Sequence, residues 1–195
     1  KASVFLTELH PAGDAPTRDR ILAGLRKRDF DATHHCSAWR EGVPVTAQGA
    51  DDDGEPAGTA GPPMLKVLEG AGVSDLLAVV IRWYGGTKLG TGGLVKAYTE
   101  GVQGALAEAQ AQGLLQEVVP LLHGRIAGPA SQAHLPFQVL GAIQGSRVLS
   151  QGFATGGSSE VRFSIPPEEG PRLEALWRER SRGGVVTWEG VFADP

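Results

Sequence analysis

Apolar and polar positions along the chain follow a period that switches between two and about 3.6, the marks of strand and helix. Residues 2–9, with Val4, Phe5, Leu6 and Leu9, read as a strand ended by Pro11 and Gly13. Asp14 or Thr17 can cap a helix that carries Ile21, Leu22 and Leu25 on one face. Residues 32–40 read as a second strand, and residues 43–47 as its antiparallel return. A polar loop over 51–62 leads to Pro62 and Pro63, which suit the first turn of a helix with Met64, Leu65 and Leu68 inside. Residues 76–83 are almost continuously apolar, which predicts a central strand covered on both faces. A glycine loop over 84–93 precedes a long helix over 94–112. Its stripe is Leu94, Val95, Tyr98, Val102, Leu106 and Ala109, and Gly113 stops it.

The second half reads strand (120–127), helix (132–143), strand (147–153), strand (160–165), helix (168–180), strand (185–192), with Gly156-Gly157 turning between the middle strands. That is the βαββαβ order of a ferredoxin-like domain. The pattern predicts an α+β protein of two domains, residues 1–118 and 119–195, with the boundary near 116–120.

Composition narrows the class. At 195 residues, with 41% hydrophobic and 21% charged residues, the balance is globular. Cys36 is the one cysteine, so no internal disulfide forms and a reducing, cytoplasmic setting is expected. No apolar run approaches the roughly 20 residues that cross a bilayer. The start, Lys1-Ala2-Ser3-Val4, does not read as a signal peptide, and its lack of Met points to a few residues missing before it. Asparagine is absent and Arg outnumbers Lys thirteen to five, which fits a thermophilic source or a GC-rich genome. Residues 1–118 carry eleven basic against fifteen acidic residues, residues 119–195 seven of each. With a net charge of −4, any nucleic-acid contact has to come from a local patch.

Three segments carry candidate chemistry. The first is a strand with His34, His35, Cys36, Trp39 and Arg40. Adjacent histidines on a strand point to opposite faces, and zinc spacing is missing, so no metal site is expected. Cys36 has no evident positive neighbour to activate it as a nucleophile. The second is the acidic loop with Asp52, Asp53, Glu55 and Thr59. Its oxygens suit a hydrated Mg²⁺; the alternative is a solvated loop whose side chains bond their own backbone and cap the next helix. The third runs Arg82, Trp83, Tyr84, Gly85, Gly86, Lys88, Gly90, Gly92, Gly93. Glycines at a helix start leave N–H groups open to an anion, Arg82 and Lys88 add charge, and Trp83 or Tyr84 can stack a base. It is neither a Walker loop nor a clean dinucleotide fingerprint, and the glycines also suit tight packing alone. On residues 168–182, Arg172, Arg178, Arg180 and Arg182 interleave with glutamates, as on a solvated face.

The strings Lys1-x-Ser3-x-Phe5, Asp31-Ala32-Thr33-His34-x-Cys36, Asp53-Gly54-Glu55-Pro56-x-Gly58-Thr59-Ala60-Gly61-x-Pro63 and Val80-Ile81-Arg82-Trp83-Tyr84-Gly85-Gly86-x-Lys88-Leu89-Gly90-x-Gly92-Gly93-Leu94 resemble the IMPACT/YigZ family. His35 and Trp83 stand where that family often has another polar residue and Tyr or Phe. The resemblance covers residues 1–113 closely. It implies an N-terminal domain with the fold of the second domain of a small-subunit ribosomal protein, shared with parts of elongation factor G and some small-molecule kinases. The rest is similar to a C-terminal, ferredoxin-like domain of elongation factor G. A link to ribosomes or translation control, with RNA binding, is implied. Eukaryotic members carry a further domain and restrain a kinase; that domain has no counterpart in these residues, so this role is not carried over.

Three readings follow. One is a binding protein that contacts RNA, the ribosome or translation factors through the glycine loop. Another is an enzyme on a small phosphorylated ligand, with Mg²⁺ on the acidic loop. In the third, the motifs serve a scaffold.

Overall fold

Strand β4 (Leu76–Trp83) is buried along nearly its whole length, and the first half of the chain is built on it. The computed structural model describes residues 2–154 and 157–193. Lys1 of the first motif and Gly156 of the expected turn lie outside the described residues. On one side β4 pairs antiparallel with β1 (Val4–Pro11), on the other with β2 (His34–Glu41), which pairs in turn with β3 (Ala47–Asp51), giving the order β1-β4-β2-β3. Alternate β4 side chains serve two layers. Leu77, Val79 and Ile81 pack with Leu25 of helix α1 (Ala15–Arg28). Leu76, Ala78 and Val80 pack with Met64 and Leu68 of helix α2 (Gly61–Gly70) and with Leu94, Tyr98, Val102 and Leu106 of helix α3 (Gly90–Ala111). Burying each of these larger apolar side chains stabilises the fold by roughly 1.5–3 kcal/mol. Asp14 caps α1, accepting the Thr17 N–H at 2.7 Å.

In the first unit β1 runs to Pro11 itself, and the element starts that move most from the expectation are those of β3 and α3. The return strand begins at Ala47, and residues 43–46 form the turn, closed by the Thr46 N–H on the Glu41 carbonyl (2.8 Å). Pro44 has no N–H to give a ladder, which moves the pairing onward. Helix α3 starts at Gly90, a turn ahead of its apolar stripe. The glycines of this first turn give no apolar or propensity signal, and at Gly93 a Cβ would meet the Leu89 Cβ at 3.0 Å, so the close turn suits glycine there.

The chain divides into two compact units, 1–117 and 118–195. In the second, strands β5 (Pro120–Pro129), β6 (Arg147–Ala154), β7 (Ser158–Ile165) and β8 (Val186–Ala193) form an antiparallel sheet in the order β6-β7-β5-β8. Helices α4 (Leu135–Gly141) and α5 (Gly170–Arg180) close a core of Ile126, Val139, Leu140, Phe163, Ile165, Leu173 and Trp177. Both helices are shorter than the apolar pattern suggested. Each is preceded by a 3-10 turn, and each has proline in its first turn, where a missing N–H does no harm. On α5, Arg172 pairs with Glu169 across the helix start, and Arg178 and Arg180, with Arg182 in the turn that follows, are exposed. Among the described residues no helix is long and apolar enough to cross a membrane.

Truncating the middle of β4 tests this layering. Ile81→Ala, at a fully buried position, is expected to lower the unfolding free energy by about 2–5 kcal/mol, read from the urea midpoint at unchanged slope.

Candidate functional site at one end of the first sheet

The registers Val4↔Trp83 and His34↔Arg82 bring the start of β1, the start of β2 and the end of β4 to one edge. The acidic loop and the glycine loop both leave from this edge. Arg82 joins them. Its Nη1 donates to Glu55 Oε1 at 2.5 Å, and both side chains are almost wholly buried, 5% and 3% exposed. Glu55 Oε1 also accepts the Tyr98 hydroxyl at 2.7 Å. The Cys36 thiol donates to the Asp52 carbonyl at 3.0 Å and lies 3.3 Å from the Tyr98 hydroxyl. A buried chain thus runs from strand β2 through helix α3 to the acidic loop and back to β4.

The acidic loop is held by its own side chains. Asp52 Oδ1 accepts the Ala60 and Gly61 N–H groups (3.0 and 2.8 Å) and Oδ2 that of Gly58 (2.7 Å), so Asp52 caps α2 from outside the helix. Gly61 is required for this approach, because a Cβ there would sit 2.8 Å from the Asp51 backbone N. Asp53 Oδ1 meets Arg26 Nη2 at 2.9 Å and Oδ2 accepts the His35 N–H at 2.6 Å. Thr59, 5% exposed, donates its hydroxyl to the Pro56 carbonyl at 2.6 Å. These carboxylates are committed to backbone N–H groups and arginines, the arrangement of a capping loop and not of a Mg²⁺ shell. Among the described residues no cluster of three or more His, Cys, Asp and Glu could hold a metal ion.

The strand candidates separate. The His34 Nδ1–H donates to the Asp53 carbonyl (2.7 Å), which turns Nε2 toward Glu55 Oε2, 3.9 Å away. His35 faces the opposite side and is buried, as the strand period requires. Burial pushes the Cys36 thiol from its ordinary 9.0 up to about 12, so it is protonated and no nucleophile at neutral pH. Arg40 sits six residues along β2 from His34, roughly 20 Å at strand rise. Its Nη1 donates to the Val73 carbonyl at 2.8 Å and to that of Leu68 at 3.3 Å, closing the end of α2. It is outside the constellation.

The glycine loop has a fixed entry and a free tip. The Tyr84 N–H donates to Thr33 Oγ1 (3.0 Å). Ser3 Oγ accepts both the Gly85 N–H (3.3 Å) and Arg82 Nη2 (3.1 Å). Trp83 turns to the α1 side, its indole N–H on Asp31 (3.1 Å). Beyond the entry, Gly86, Lys88, Gly90 and Gly92 are exposed, and Gly86 and Gly90 have positive φ (93° and 70°). Helix α3 begins with no side-chain cap and no acidic residue in its first turn, leaving N–H groups open. Lys88 has no hydrogen-bond or ion-pair partner among the described residues. Arg82, by contrast, is engaged by Glu55 and Ser3 and positions the loop instead of offering charge to a ligand. Reading charge along the sequence missed Ser3, Asp31, Thr33 and Tyr98 as parts of the site. Tyr98 read as core, yet a hydroxyl in a buried stripe needs a partner, and that was the available signal.

Glu55→Gln leaves a buried guanidinium without its counter-charge and is expected to cost about 3–5 kcal/mol, whereas replacing Glu55 and Arg82 together by Leu and Met recovers most of it in a chemical-denaturation cycle. Because burial raises the Cys36 pKa above its unfolded value, this contribution to stability is intact below about pH 9 and is lost as pH rises toward about 12. Cys36→Ala is expected to flatten the stability curve over that alkaline window.

Comparison with known proteins agrees with these motifs. The Impact N-terminal domain family matches residues 1–106. The chain is 49% identical over 114 residues to the IMPACT family member YigZ of Escherichia coli (strain K12), spanning 57% of this chain but only 56% of that relative. It is 35% identical over 184 residues to the IMPACT family member in the pol 5' region of Thermus thermophilus, covering 89% of this chain and 91% of that one. A crystal structure of a hypothetical protein aligns with 96% of this chain and 89% of its own at a TM-score of 0.59 and 34% identity. From residues 1–106 and from the near full-length relative alike, the chain belongs to the IMPACT family.

Proposed function

We propose that this chain is a non-catalytic, translation-linked binding protein that contacts RNA, free or on the ribosome, through residues 84–90 and the first turn of α3. The observation that carries the reading is the exposed glycine loop, pinned at its entry and ending at an uncapped helix start, with Lys88 beside it. Backbone N–H groups and one lysine suit a phosphate; a sequence-blind contact of this kind does not need a basic protein. Family membership supports a translation role, since proteins named IMPACT occur among the relatives, in Bos taurus at 37% identity over 95 residues.

In the same reading the first unit has the fold of the second domain of a small-subunit ribosomal protein. The second is ferredoxin-like, supported by its βαββαβ element order and the strand order β6-β7-β5-β8. The two units correspond to functional domains 1–118 and 119–195 of a cytoplasmic protein.

Lys88→Ala tests the contact without touching the core. RNA affinity across a salt series is expected to fall for all sequences alike, with the slope of log affinity against log salt reduced by about one. An unchanged affinity and slope would remove the loop from the interface.

A further inference from the structure

Tyr84 is built differently from the other aromatic residues of the first unit. The residue is 45% exposed, yet its backbone is pinned by Thr33 and its neighbour Gly85 by Ser3. The Arg82 guanidinium lies over the ring, 5.5 Å from the centroid, and also over Phe5, 5.3 Å away. Glu55 and Ser3 hold that guanidinium in place, and Phe5 meets Tyr98 edge to face at 5.5 Å. The Arg82 guanidinium, held by Glu55 and Ser3, is therefore in cation–π range of both Phe5 and Tyr84, and Tyr84 is the exposed ring of the two. An exposed ring fixed in this way gives up little freedom on binding a flat partner. Trp83, the other aromatic in the motif, faces α1 and is tied to Asp31, so it is not available beside Tyr84.

We infer that Tyr84 stacks an unpaired base, with Arg82 as the residue that positions it, so that the loop selects single-stranded over duplex RNA. This rests on the loop being the RNA contact proposed above. In an A-form duplex the bases are stacked on one another and the deep groove admits no side chain, so a ring at the protein surface meets phosphates, 2′-hydroxyls and the base edges of the shallow groove, but no base face. In a single strand the base lies on the Tyr84 ring, while Lys88 and the open N–H groups of the α3 start meet the flanking phosphates. Stacking is tolerant of sequence, because every base has a π-face.

The test uses the full chain, a short labelled RNA strand of random sequence, the same strand with its bases removed, and a blunt RNA duplex, all followed by fluorescence anisotropy. Tyr84→Ala is expected to weaken binding of the single strand by about five- to 150-fold, the equivalent of one base–aromatic stack, and Tyr84→Phe to leave it near the parent. Duplex and base-free strand are expected to bind the parent and Tyr84→Ala alike, and Lys88→Ala to weaken all three. If Tyr84→Ala binds the single strand as the parent does while Lys88→Ala still weakens it, the stack is overturned and the loop contact stands. If the parent prefers the duplex, the stack is likewise overturned. If the parent binds none of the three at low salt, both fall. Since Tyr84 is exposed, the variants are expected to keep the parent's thermal midpoint; if Tyr84→Ala lowers it, Tyr84→Phe does not, and Tyr84→Ala weakens all three RNAs alike, the ring is structural and the inference is overturned.

Discussion

The ion pair of Arg82 with Glu55 holds together four segments that are far apart in the chain. Two charges so deeply buried are tolerable only when each is also hydrogen-bonded, and both are: Glu55 accepts from Tyr98, and Arg82 donates to Ser3. Glu55 belongs to the acidic loop, Arg82 to the end of β4, Tyr98 to α3 and Ser3 to the approach to β1. The loop after β4 is fixed by the same group that fixes the start of β1, because the Ser3 hydroxyl accepts from both Arg82 and Gly85. A buried pair of this kind adds little net stability over apolar packing, and its effect here is to set one arrangement of two loops.

The acidic segment illustrates how charge can mislead. Three successive aspartates look like a cation site, but all three are engaged within the fold. Asp51 accepts the Asp53 N–H, Asp52 caps α2, and Asp53 pairs with Arg26 and holds β2. The helix start at Ala60 has no side-chain cap of its own, so its orphan N–H groups are answered from eight and nine residues earlier in the chain. At the opposite end of α2, Arg40 answers the carbonyls. The cationic glycine loop is the reverse case. Its exposed tip leads into a first turn of α3 that has no side-chain cap, and open polar groups are what a binding surface offers.

Much of the fold was legible in the sequence. The continuous run from Leu76 to Trp83 had the length and composition of a strand covered on both sides, the stripe through Leu94, Tyr98, Val102 and Leu106 had the period of a helix, and the order of elements in both halves followed from these patterns. The edges were less legible: the return strand starts only beyond Pro44, which cannot donate to a ladder, and α3 starts within glycines whose weak propensity gives no helix signal.

The site divides the same way. Residue type and spacing alone marked the glycine loop, the acidic loop and the His34–Cys36 strand, and separated His35 from His34. Which charges face inward is a matter of three-dimensional neighbours, and no local pattern contains it. Arg82 and Lys88 are both cations of one motif, yet Glu55 and Ser3 occupy the first, and among the described residues nothing occupies the second. Trp83 and Tyr84 are adjacent aromatics, yet the strand period sends one to α1 and the loop turn leaves the other over Arg82. Burial, which presses the polar groups it covers to find partners, made those distinctions, although Arg82 Nε and His35 Nε2 are left without one.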